Sequence, residues 1–195
     1  MTTRKVAVIV GSIRKGSLNR MMAHALAALA PASLELEIVE IAQLPLYNQD
    51  LDSSPPDNQD LDSGPPAEWT AFRQKIKAAD AVLFVTPEHN RSVPAALKNA
   101  IDVGSRPYGS NCWDGKPAAV VSVSPGAIGG FGANHHLRQS LVAINMPTLQ
   151  QPEAYIGGAA KLFDEDGKLV NPGTGEFLKK FMQAFAAWIE SLLRV

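Results

Sequence analysis

Cysteine is almost missing from this chain: the 195 residues include one, Cys112. A lone thiol excludes an intrachain disulfide and any cysteine-built zinc or iron–sulfur cage, and it suits a reducing compartment. Excess charge is missing too. Lys and Arg number 18 against 19 Asp and Glu, a formal net charge of −1, so no chain-wide basic face for nucleic acid is implied. No apolar run approaches the length of a membrane span. Behind the charged opening MTTRK the apolar stretch ends at Val10, which is too short for a signal core. The expected location is the cytoplasm, with no membrane partner. Two nucleotide motifs are absent as well. No G-x-x-x-x-G-K-[ST] occurs, and residues 11–16 do not form G-x-G-x-x-G, so neither a triphosphate loop nor a dinucleotide pyrophosphate turn is expected.

What is present is an ordinary globular composition, 46% hydrophobic and 19% charged, in a length that suits a single domain over residues 1–195. Strand and helix patterns alternate. Residues 6–10 (VAVIV), 81–86 (AVLFVT) and 118–124 (AAVVSVS) are apolar on both faces, as buried parallel strands are. LELEIVEIA (34–42) alternates with glutamates and reads as a strand with one wetter face. TLQQPEAYIG (148–157) reads as a last strand, irregular at Pro152. Between them, helices are predicted over 18–30, 67–79, Pro94 to Gly104, about 133–144 and about 175–194. Pro31 stops the first, and Pro94 suits the first turn of the third. In the last helix Phe177, Phe181, Phe185, Trp188 and Leu192 share a stripe. Such βαβ units predict an α/β three-layer sandwich with a five-stranded parallel sheet in the order 2-1-3-4-5. Its ligands sit outside the strands' carboxyl ends, at the switch point between strands 1 and 3.

One segment interrupts the alternation. NQDLDSSPP (48–56) recurs as NQDLDSGPP (58–66), a tandem duplication best read as a surface loop. Asp50, Asp52, Asp60 and Asp62 are the acids it offers a calcium ion, without the glycine and terminal glutamate of an EF-hand loop.

The loop after the first strand, GSIRKGSLN, is rich in donors. Ser12, Ser17 and Asn19 carry polar side chains, Arg14 and Lys15 carry charge, and a helix begins at Leu18. Serines and an asparagine ahead of a helix also serve as caps. Convergent donors at a helix start suit a compact dianion, a terminal phosphate monoester, better than a pyrophosphate. A mononucleotide end is therefore expected here. The loop after the third strand, TPEHNRSVP, has two prolines that predict an extended, stiff path. Glu88, His89 and Asn90 then form a largely backbone-lined edge suited to a flat heterocycle. SPGAIGG (124–130) supplies a third wall in which glycines permit close approach.

GSIRKGSLN, TPEHNRSVPAALKNAID and GAIGG…HHLRQ together resemble the NADPH-dependent FMN reductase family, and within it the bacterial quinone and chromate reductases. The likeness spans nearly the whole chain, including LPLYN. It implies a flavodoxin-like fold, bound FMN, NADPH or NADH as donor, and a homodimer or homotetramer. Carried over by position, Ser12, Arg14, Ser17, Leu18 and Asn19 surround the FMN phosphate. Pro87, Glu88, His89 and Asn90 line the isoalloxazine, and Ser124, Pro125 and Gly126 close its other side. His89 stands where the family usually has tyrosine, and Val103 where tryptophan is common.

The chemistry then belongs to the flavin, and no protein nucleophile, general base or metal is expected. The expected cycle is ping-pong: hydride passes from NAD(P)H to flavin N5, then two electrons pass to a quinone, nitroaromatic, azo dye, chromate or free flavin. Two other classes share the fold, a flavodoxin-type electron carrier and a non-catalytic FMN-binding sensor. A net charge of −1 gives little of the acidic steering a carrier uses, and NADPH oxidation with a quinone separates all three. Arg91 and Arg106 are candidates for nicotinamide phosphates, though solvation or subunit salt bridges are commoner fates. Adjacent on a helix, His135 and His136 diverge too far for a metal pair, and Cys112 reads as a packed thiol.

Overall fold

The structure, a computed structural model, describes residues 3–52 and 64–193. Five strands form one parallel sheet: β1 (Arg4–Val10), β2 (Leu34–Ile38), β3 (Ala81–Thr86), β4 (Ala118–Val123) and β5 (Ala154–Ile156). Their order is β2-β1-β3-β4-β5, as the alternating pattern predicts. β3 and β4 are buried at every position because helices cover both faces, which is why their sequences do not alternate. The two-residue period still sorts side chains between layers. Val6, Val8 and Val10 join the core under α1 (Leu18–Leu29) and α6 (Pro172–Leu193). Ala7 and Ile9 join the opposite core with α3 (Ala67–Ala78), α4 (Ala95–Gly104) and α5 (Phe131–Ala143). Fully burying a side chain such as Phe84, Leu83 or Ile9 contributes about 1.5–3 kcal/mol each.

Several expectations shift in detail. The second strand ends at Ile38 rather than 42, because pairing with β1 stops at Val8↔Ile38; Ile41 is buried from the loop instead. The last strand shrinks to Ala154–Ile156, with one isolated bridge from Thr148 to Ala118 further back. Pro94 precedes the first residue of α4 rather than lying within its first turn. The buried stripe of α6 is Leu178, Phe181, Met182, Phe185 and Ile189, whereas Phe177, Trp188 and Leu192 are only half-buried. A four-residue helix, α2 (Gln49–Asp52), opens the duplicated segment; Asp60 and Asp62 lie outside the described residues. Asp52 is committed to Arg73 at 2.7 Å, so it is not available to a cation. No cluster of three metal-ligating side chains occurs among the described residues. No helix there is long and apolar enough to cross a membrane.

Candidate functional site

Three loops leave the carboxyl ends of adjacent strands at one level. Val10 of β1 is in register with Val85 of β3, and Thr86 of β3 with Ser122 of β4. This is the switch point of the sheet, where the chain direction of the crossovers reverses and a crevice opens.

The first loop is held close to the second by Gly11. Its N–H donates to the Val85 carbonyl at 2.8 Å. A Cβ there would lie 3.0 Å from Thr86 Oγ1, 3.1 Å from Leu97 Cδ2 and 3.2 Å from Pro87 Cδ, so glycine permits the approach. Beyond it, no backbone N–H from Ser12 to Asn19 has a well-formed hydrogen bond among the described residues. Gly16, at φ +66°, turns the chain into α1. Ser17 is the N-cap: its Oγ accepts from the Arg20 N–H at 3.3 Å, which leaves the hydroxyl proton free to donate. Ser12, Ser17 and Asn19 are buried, Leu18 is half-buried, and Arg14 and Lys15 are exposed. Asn19 Oδ1 is buried with no hydrogen-bond partner, a state that costs about 1–3 kcal/mol unless a ligand or water meets the amide. The loop is thus a concentration of unmet donors, two exposed cations and a helix N-terminus, the set that binds a phosphate monoester.

The second loop departs from the stiff, extended path its prolines predict. Pro87 and Pro94 bracket a tight hairpin in which His89 and Ser92 exchange backbone bonds of 3.1 and 2.9 Å. Its central residues Asn90 and Arg91 have φ of 50° and 65°, the pair of left-handed conformations of a type I′ turn. Prolines restrict their own φ but not the residues between them, and β-turn chemistry at Asn90 won. His89 and Asn90 are exposed and Pro87 is half-buried. The Glu88 side chain leaves the loop edge: Oε2 accepts from the Ala133 N–H and Oε1 from Arg91 Nη1, each at 3.1 Å.

The third loop is short and tied down at its start. Ser124 Oγ accepts from the Gly126 N–H at 3.1 Å, and the Ser124 N–H donates to the Ile156 carbonyl at 2.9 Å. Pro125 and Gly126 are exposed. The backbone of Gly129 packs against Tyr155, where a Cβ would stand 2.5 Å from the carbonyl carbon.

The remaining sequence candidates disperse. Arg91 pairs with Glu88, and Arg106 Nη1 turns back to the Ser105 carbonyl at 3.3 Å, so neither is free. Cys112 is buried, and desolvation pushes its thiol up to about 11, the opposite of an activated cysteine. His136 Nδ1 meets Ser92 Oγ at 3.0 Å. His135 belongs to an aromatic group that sequence inspection misses. Its ring lies 4.2 Å from Phe131 and stacks on Tyr155 at 5.9 Å, with Nε2 and the Tyr155 hydroxyl 3.0 Å apart. Burial first, then Glu153, push the Tyr155 hydroxyl up to about 12. The i,i+4 spacing of Phe131 and His135 was the signal on offer; Tyr155, on β5, had none. A cavity of about 620 Å³ lies between α1 and the start of α6 and is lined by none of the residues of the three loops.

Residues 4–161 match the sequence pattern of the NADPH-dependent FMN reductase family. This chain belongs to that family. The structure shares its fold with the flavoenzyme FerB, an NAD(P)H:(acceptor) oxidoreductase from Paracoccus denitrificans. The TM-score is 0.85 and the identity 41%, covering 97% of this chain and 99% of the other. A quinone reductase of Pseudomonas putida is 63% identical over 185 residues, 95% of this chain and 94% of its own. A 2-hydroxy-1,4-benzoquinone reductase of a Burkholderia species is 44% identical, covering 95% and 96% of the two chains. The chain is therefore an oxidoreductase of the FMN reductase family with a flavodoxin-like fold and FMN as its cofactor. The residues present fit that group: unmet N–H donors and the unpartnered Asn19 amide oxygen suit a ligand rich in phosphate oxygens and hydroxyls.

Proposed function

We propose that this reductase transfers electrons from NADPH or NADH to a small quinone through FMN held at the sheet's switch point. The observation that carries the reading is the run of unmet backbone donors from Ser12 to Asn19, ending at a buried amide oxygen without a partner. Relatives at 63% and 44% identity that are named quinone reductases support a quinone acceptor.

In this reading Ser12, Ser17 and Asn19 hold the phosphate with the N-terminus of α1. Arg14 adds a mobile positive charge, and Leu18 covers the ribityl side. The backbone of Pro87, Glu88, His89 and Asn90 lines one edge of the ring, and Ser124, Pro125 and Gly126 close the other. Bound FMN supplies the two-electron chemistry between donor and acceptor. The protein's own work is to orient the ring, to direct N–H dipoles at its polar rim and to keep one face open. Backbone donors suit this work because they are fixed before the ligand arrives. The same face takes the nicotinamide and then the acceptor, a ping-pong order.

The residues 1–195 act as one FMN-binding domain of a cytoplasmic protein, assembled as a homodimer or homotetramer. Leu46 and Tyr108, 78% and 95% exposed, flank a groove lined by Tyr47, Asp52, Arg106 and Pro107. Large apolar side chains left in water beside a groove support burial against a second copy.

The experiment is a visible spectrum of freshly purified protein, followed by NADPH oxidation with and without a benzoquinone. A flavin spectrum and quinone-dependent turnover are expected. Colourless protein that takes up no FMN on titration, or flavin that NADPH does not bleach, overturns the proposal.

A further inference from the structure

We propose that Glu88 is a positioning residue for the flavin ring, clamping the second loop to the N-terminus of α5 so that both walls of the ring slot form one unit. The inference rests on the FMN reading above.

Helix α5 starts without a side-chain cap: its N-cap is Gly130, at φ 75°. The first N–H groups of a helix need acceptors from outside it. Glu88 provides one from 45 residues earlier in the chain, accepting from Ala133, the third residue of the helix, at 3.1 Å. Its carboxylate is only 11% exposed, while its second partner, Arg91, is 73% exposed. A carboxylate that far from water needs compensation, and here the positive end of α5 provides most of it. The approach is close enough to demand glycine. A Cβ on Gly132 would stand 2.7 Å from the Arg91 carbonyl oxygen and 2.9 Å from Glu88 Oε2. A second tie, His136 Nδ1 to Ser92 Oγ at 3.0 Å, holds the far side of the hairpin to the same helix.

These contacts join two things that sequence order keeps apart. The backbone of residues 87–90 forms one edge of the ring site. The loop 124–130 forms the other, and it runs directly into α5. Fixing Glu88 to Ala133 therefore sets the separation of the two walls. It also holds Arg91 in its left-handed conformation, φ 65°, which a non-glycine residue keeps only when its surroundings over-determine it.

The test compares FMN with riboflavin, which shares the ring and lacks the phosphate, in the parent protein, Ser17→Ala, Glu88→Gln and Gly132→Ala. Glu88→Gln keeps the side chain's shape and removes its charge. It is expected to weaken FMN and riboflavin by the same factor, about tenfold, because a charge-assisted bond becomes a neutral one. The midpoint potential of its bound flavin becomes more positive, since a nearby negative charge has gone. Ser17→Ala weakens FMN alone. Gly132→Ala keeps every charged group, forces the clamp apart and weakens both flavins together. A purely structural cap at Glu88 would lower the melting temperature and leave the potential and the riboflavin affinity where they were. That result, alongside FMN loss in Ser17→Ala, overturns the inference and leaves the site assignment intact. If Glu88→Gln does not fold, parental affinity of Gly132→Ala for both flavins overturns it. Ser17→Ala with parental FMN affinity, or a parent that takes no flavin, removes the site reading and this inference with it.

Discussion

Asp52 and Arg73 form a buried bidentate ion pair, at 2.9 and 2.7 Å, where the duplicated segment begins. Their side chains are 3% and 9% exposed. Arg73 also donates Nε to the Val103 carbonyl at 2.9 Å and lies 5.6 Å over the Trp69 ring. One guanidinium thus pins α2, α3 and the end of α4 together. Removing one partner leaves a buried charge unmet, so Asp52→Ala is expected to lower stability by about 3–5 kcal/mol. The double substitution Asp52→Leu with Arg73→Met loses less than either single change. Urea titration measures both. Flavin content per folded protein stays at the parent value, because the contacts of the pair run to Val103 and Trp69 and not to the three loops.

Ser17 and Asn19 are expected to govern FMN affinity separately from fold. Ser17→Ala and Asn19→Ala each remove a bond to a charged group worth about 1.5–3 kcal/mol, or about one to two decades in dissociation constant. Fluorescence titration of apoprotein with FMN reads this directly. Ser17→Ala also loses a helix cap, with about 0.5–2 kcal/mol of stability; Asn19→Ala loses an unpartnered amide and so leaves stability close to that of the parent.

Gly104, at the end of α4, lies against the Trp113 indole, where a Cβ would overlap Nε1 and Cε2. The indole cannot retreat, since it is fully buried and donates to the Ile101 carbonyl at 3.0 Å. Gly104→Ala is therefore expected to destabilise by about 1–3 kcal/mol through overpacking. The thermal midpoint checks it, and a midpoint equal to the parent's would contradict the packing described.

Cys112 makes stability depend on alkaline pH. Burial raises its thiol from 9.0 to about 11, so the folded state holds the proton more tightly than the unfolded chain. The stabilisation is complete below pH 9 and is lost as pH climbs through about 11, a change of roughly 2–3 kcal/mol. Denaturant titrations between those values are expected to show this loss in the parent and a flatter profile in Cys112→Ala. Below pH 9 a thiol reagent is expected to label the unfolded protein much faster than the native one.

The local parts of this protein were legible in one dimension. VAVIV, AVLFVT and AAVVSVS declare buried strands because apolar residues fall on both faces of each. GSIRKGSLN displays its concentration of donors because they are neighbours in the chain. Resemblance added the identity of the ligand, which donor chemistry alone leaves at a mononucleotide end. Strand ends were less legible. β2 ends at Ile38 because the chain leaves β1 after the Val39 N–H donates to the Val8 carbonyl at 3.0 Å, and nothing in LELEIVEIA marks that point.

The sequence alone determined the order of elements, the sheet topology and the three loops, since periodicity and turn chemistry act between residues a few positions apart. Only tertiary structure decided what Glu88, Asp52 and His135 do. The partner of Glu88 is a backbone N–H that α5 would use internally anywhere but in its first turn. The ion-pair partner of Asp52 is an arginine on another helix, and His135 stacks on a strand 20 residues away. Such pairings depend on which elements the core brings together, and a carboxylate in a loop reads the same whether water or a helix end receives it.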